Sequence, residues 1–82
     1  MEEQEIGEVM DYFSKVNVAA IKLNGRLSIG DEIHIKGNTT DMTMTVGSMQ
    51  IDKNPVDDAS RGDSVGIKVN DRVRPGDKVY KA

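Results

Sequence analysis

The dipeptide Gly-Asp occurs three times, at Gly30-Asp31, Gly62-Asp63 and Gly76-Asp77, and each time a short segment of alternating apolar and polar residues follows it. Glycine supplies the positive φ that a tight turn demands, and the aspartate caps the turn. The segments that follow, Glu32-Ile33-His34-Ile35, Ser64-Val65-Gly66-Ile67 and Lys78-Val79-Tyr80, carry the two-residue period of a half-buried strand. Extending this pattern along the chain predicts strands at Ile6–Phe13, Val16–Leu23, Glu32–Lys36, Met42–Ile51, Ser64–Val69 and Lys78–Tyr80. No window sustains helical apolar spacing, and the only helical turn expected is Pro55 to Ala59. Short strands at regular spacing must close or stack to hide their edges, so the expectation is an all-β barrel or small sandwich.

With 82 residues the chain holds one core and no second domain. Residues 1–5 are expected to be a disordered acidic leader and residues 6–82 the folded unit. Cysteine is absent, which removes disulfides, thiolate metal sites and thiol nucleophiles, and favours a reducing cytoplasm. The longest apolar run, Val18-Ala19-Ala20-Ile21, is far too short to span a membrane, and Met1-Glu2-Glu3-Gln4-Glu5 has no basic signal-peptide start. The net charge of −3 misleads, because five of fourteen acids lie in the first eleven residues. From Tyr12 onward eleven bases face nine acids.

Four pieces in order carry a family resemblance: Leu27-Ser28-Ile29-Gly30-Asp31-Glu32-Ile33, Val46-Gly47-Ser48-Met49-Gln50-Ile51, Ala59-Ser60-Arg61-Gly62-Asp63-Ser64-Val65-Gly66-Ile67 and Val73-Arg74-Pro75-Gly76-Asp77-Lys78-Val79. Together they resemble the second domain of translational GTPases such as elongation factor Tu, and stand-alone archaeal elongation-factor-like proteins. The resemblance implies a six-stranded closed Greek-key β-barrel, while a similar barrel also ends certain collagenase-like peptidase proteins. The phosphate-cradling Gly-rich loop of the GTPases is absent, so no nucleotide and no cofactor is expected.

In elongation factor Tu, an Asn after the hallmark Gly-Asp and an Arg eleven positions earlier hold the aminoacyl end of tRNA, and the resemblance puts Ser64 and Lys53 at those positions. Lysine keeps the charge but loses the bidentate fork. Arg61, Lys68, Arg72, Arg74 and Lys78 are further candidates for phosphate contact if the turns of one rim lie together. Their alternative is a solvated surface interleaved with Asp63, Asp71 and Asp77. His34 lies between Ile33 and Ile35, so it is expected on the outer face, and no nucleophile, base and carboxylate stand at suggestive spacing. Of Tyr12 and Phe13, one is expected to pack inward and the other to lie at the surface. Met42, Met44 and Val46 are expected to face the core.

Two functions compete. One is a non-catalytic, translation-associated adaptor binding tRNA, ribosomal RNA or the ribosome. The other is a protein-interaction module docking on a separately encoded, peptidase-like enzyme.

Overall fold

The computed structural model describes residues 4–81. It contains ten strands and, among the described residues, no helix: β1 (Gln4–Phe13), β2 (Val18–Leu23), β3 (Leu27–Ser28), β4 (Glu32–Lys36), β5 (Asp41–Thr45), β6 (Met49–Ile51), β7 (Asn54–Pro55), β8 (Asp58–Ala59), β9 (Ser64–Lys68) and β10 (Lys78–Lys81). Eight of them form one sheet in the order β5-β4-β10-β1-β2-β9-β6-β7, and β3 pairs with β8 as a separate ribbon. All-β architecture is therefore observed. A closed six-stranded barrel is not, because no ladder among the described residues joins β5 to β7.

The sheet nevertheless curls far round its core. β5 is its outermost strand on one side and β6 lies next to last on the other, yet only Val46, Gly47 and Ser48 separate them in sequence. A link that short spans at most roughly 14 Å, so the two ends of the sheet must approach each other. Here the predicted single strand Met42–Ile51 breaks in two. The backbone of Val46 turns to the Gly30-Asp31 turn, donating to the Asp31 carbonyl and accepting from the Gly30 N–H, both at 2.9 Å. The inward positions also change phase, from Met44 and Val46 to Met49.

Alternation fills the interior. Ala19, Ile21 and Leu23 of β2, Ile33 and Ile35 of β4, Val65 and Ile67 of β9 and Val79 of β10 are all buried in one cluster. In β1 the period is interrupted by register shifts between Glu5 and Gly7 and between Val9 and Asp11. These bulges let Ile6 and Val9, three positions apart, both face inward. Gly7 sits opposite Leu23 and Val79, where a Cβ would lie 2.9 Å from the Ile21 side chain and from the Lys22 carbonyl. Tyr12 packs against the core and Phe13 lies outside.

The acidic leader expected at residues 1–5 falls partly outside the described residues. Its last two members, Gln4 and Glu5, belong to β1 and pair with Lys81 and Tyr80. The helical turn expected at Pro55 to Ala59 is also replaced. Asn54 and Pro55 pair back onto β6, where an edge position tolerates the missing proline N–H, and Asp58 and Ala59 pair with β3.

Candidate functional site

The three Gly-Asp turns share one hydrogen-bond set. Gly30, Gly62 and Gly76 have φ of 94°, 94° and 96°, a conformation open to glycine. Each aspartate N–H donates to the carbonyl three residues earlier, and its carboxylate reaches back to accept from the same residue's N–H. That residue is Ser28 for Asp31 (2.9 Å), Ser60 for Asp63 (3.0 Å) and Arg74 for Asp77 (2.9 Å). Each turn then docks on one buried residue, Val46, Leu23 or Val9, through a backbone pair that accepts from it at the aspartate carbonyl and donates to it from the glycine. The aspartates thus cap three copies of one device, and only Asp77 is buried.

The copies do not share a rim. β4 starts where β10 ends, since Ile33 pairs with Lys81, and β9 starts beside the end of β2, since Ser64 pairs with Lys22. The Asp31 and Asp63 turns therefore lie at the end of the sheet where β1 begins. The Asp77 turn opens β10 beside Glu8 and Lys36, toward the opposite end. Arg61 consequently stands apart from Arg72 and Arg74, which flank a shallow hollow with Asp11 and Tyr12. Lys78 is taken up by Glu8 at 3.0 Å, a bond that raises the lysine pKa above its ordinary value. The seven basic and polar candidates form no single patch.

Two outer faces result. Across β1, β10, β4 and β5, cations have partners: Lys78 with Glu8, Lys81 with Asp31 at 3.2 Å, His34 with Asp41, and Lys36 over the Tyr80 ring at 5.9 Å from its centroid. His34 lies outside as expected but is partly covered, with 17% of its side chain accessible. Its bond to Asp41 holds that carboxyl below the usual carboxylate range.

Across β1, β2, β9 and β6 the outer face is an apolar groove. Ala20, Gly66 and Gln50 lie in one cross-strand row and form a low floor. Phe13 and Val16, 50% and 57% exposed, rise at one wall, and the β6–β7 hairpin forms another. That hairpin turns through Asp52 and Lys53 at φ 51° and 66°, the paired left-handed conformation of a two-residue hairpin loop. A second hollow, reaching Ser48, Pro55 and Lys68, continues the first and shares Val18, Gln50 and Gly66 with it. Lys53 and Ser64 thus meet in this groove, with Lys68 at its far end. Val16, Val18 and Gln50 are not singled out by sequence, and Phe13 is read there only as one of a Tyr12–Phe13 pair with one member at the surface; the signal available was an aromatic three residues before a Val outside any core position. Among the described residues no group of three or more His, Asp or Glu side chains is placed to hold a metal ion, and no helix is long and apolar enough to cross a membrane.

No protein-family model matches the chain. It is 48% identical over 77 residues to a protein of Methanocaldococcus jannaschii named as an uncharacterized protease, covering 93% of this chain and 19% of the relative. It is 37% identical over 78 residues to a collagenase of Porphyromonas gingivalis, covering 93% of this chain and 22% of that protein. The chain therefore spans about a fifth of the length of the curated relatives it matches. The C-terminal domain of a protein described as a U32 peptidase from Geobacillus thermoleovorans superposes with a TM-score of 0.90 at 21% identity, covering 95% of this chain and 99% of that one.

These likenesses overturn the translation-factor resemblance, and with it the elongation, ribosome and RNA-binding expectations. The physical reason is visible in the turns. A Gly-Asp pair entering a strand records how the chain reverses and docks on a neighbouring strand, and it says nothing of the partner.

Proposed function

We propose that the chain is a non-catalytic protein-interaction module serving a peptidase-like protein. The observation that carries this reading is the 48% identity that runs across 93% of the chain yet occupies only 19% of a protein named as a protease. A segment of that kind adds a surface to a larger catalytic body. Supporting it, the described residues present an apolar groove. In this reading the module works in the cytoplasm, as expected of a cysteine-free chain, and its partner is a polypeptide.

The test is affinity capture with the whole chain, run with and without nuclease and followed by identification of what is retained. A peptidase-like protein recovered in stoichiometric amount, unaffected by nuclease, is the expected outcome. Recovery of ribosomes alone, or loss of the captured protein after nuclease, refutes the reading.

A further inference from the structure

Resting on the reading of the chain as an interaction module, we infer that the β1-β2-β9-β6 groove takes an acidic protein segment that inserts apolar side chains into its two adjoining hollows. The first argument is shape. The floor is low because Gly66 has no side chain, and a Cβ there would stand 3.2 Å from Val18 and 3.3 Å from Gln50. Phe13 and Val16 remain half exposed beside it, an arrangement that costs hydration free energy until something covers them. The two hollows meet at Val18, Gln50 and Gly66. An extended segment, whose alternate side chains stand roughly 7 Å apart on one face, can fill both.

The second argument is charge. Lys53 lines the groove, Lys68 lies at one end, Lys22 pairs across the sheet with the groove residue Ser64, and Lys15 adjoins Phe13 and Val16. Among the described residues none of these four lysines has an ion-pair partner. The acids nearby are Asp52 on the hairpin and Asp11, which stands opposite Ala20 and accepts from the Tyr12 N–H. Glu8, opposite Lys22, is bonded to Lys78. An apolar surface rimmed by unpaired lysines selects an occupant with carboxylates beside its apolar side chains and steers it in.

The experiment is fluorescence anisotropy of the whole chain with two labelled synthetic peptides of equal length, one alternating Leu with Glu and one alternating Leu with Lys. The Leu–Glu peptide is expected to bind one to one, at least about tenfold more tightly than the Leu–Lys peptide, with affinity falling as salt rises. Gly66→Leu, which fills the floor, and Phe13→Ser, which removes a wall, are each expected to weaken binding several-fold. Thermal melts establish that both variants fold, and Glu32→Gln on the opposite face keeps full affinity. Combined Lys22→Glu, Lys53→Glu and Lys68→Glu is expected to invert the preference between the peptides.

Equal binding of both peptides, or of neither, overturns the inference. So does self-association of the chain that Phe13→Ser abolishes, or displacement of the peptide by a single-stranded oligonucleotide. The broader reading is judged separately. If a peptidase-like protein is captured but stays bound in excess Leu–Glu peptide, the module stands and the acidic occupant of the groove falls.

Discussion

The two outer faces of the same curled sheet are built from similar strands and differ in what their charges do. On the β10-β4-β5 side, Lys78, Lys81 and His34 are each within bonding distance of a carboxylate, and Lys36 covers an aromatic ring. On the β2-β9-β6 side, the lysines around Phe13, Val16, Val18 and Ala20 have no ion-pair partner among the described residues. One face is internally complete and the other is not. Surfaces that satisfy their own charges have little left to offer a partner, whereas an uncovered apolar floor with a charged rim has the anatomy of a recognition site.

If the groove is surface, positions facing it tolerate substitution far better than positions facing the core. β9 carries both kinds of position, Ile67 inward and Gly66 outward. Ile67→Ala is expected to destabilise the fold by about 2–4 kcal/mol in urea denaturation, through lost burial and the cavity left behind. Phe13→Ser, half exposed at the groove wall, is expected to cost less than about 0.5 kcal/mol. Comparable losses at the two positions would make the groove part of the core and leave it unavailable to a ligand.

A smaller effect separates the turn aspartates. Asp77 is 5% exposed, so Asp77→Ala removes the acceptor of the Arg74 N–H at a covered site and is expected to cost about 1–3 kcal/mol. Asp63 makes the corresponding bond to Ser60 where solvent can replace it, and Asp63→Ala is expected to cost about 0.5–1 kcal/mol. Equal costs at the two sites, measured by the same denaturation, would mean that burial does not set the worth of this bond.

These turns were legible in the sequence because their chemistry is local. Gly-Asp before an alternating segment specifies positive φ, a reach-back carboxylate and the start of β4, β9 and β10. The inward residues of those strands could be read from period alone. What escaped was non-local. The break of Met42–Ile51 depends on the Gly30-Asp31 turn capturing Val46, and the pairing of β8 depends on β3, distant in sequence. The candidate residues fared likewise. Lys53 and Ser64 do come together, but what surrounds them is an apolar groove made by Phe13 from another strand, and no spacing in the sequence reports that proximity. Arg61 was grouped with Arg72 and Arg74 because they are close in the chain, and strand direction sends them to different ends.

Titration distinguishes the faces further. The Glu8 bond raises the pKa of Lys78 in the folded state, so its stabilising contribution is fully present below the unfolded lysine pKa and is lost as pH rises through the folded value. The difference in melting midpoint between the parent chain and Lys78→Met is therefore expected to shrink at strongly alkaline pH. For Asp41, whose pKa His34 depresses, the sign is opposite. Its contribution is present above the unfolded carboxylate pKa and fades as acid reaches the folded value, so the parent chain and Asp41→Asn should converge at low pH. A constant difference across either range would detach the pair from stability.

The smallest expected effect belongs to the groove lysines. Among the described residues Lys22, Lys53 and Lys68 have no carboxylate partner, so neutralising all three with glutamine is expected to change stability by less than about 0.5 kcal/mol, with any change toward greater stability at low salt as their mutual repulsion is relieved. The same substitutions are expected to weaken the Leu–Glu peptide and leave the melt almost untouched. Loss of binding without loss of stability is the signature of charges placed for a partner. If the triple variant instead unfolds at markedly lower denaturant, these lysines support the sheet itself, and the contrast between a complete face and an incomplete one disappears.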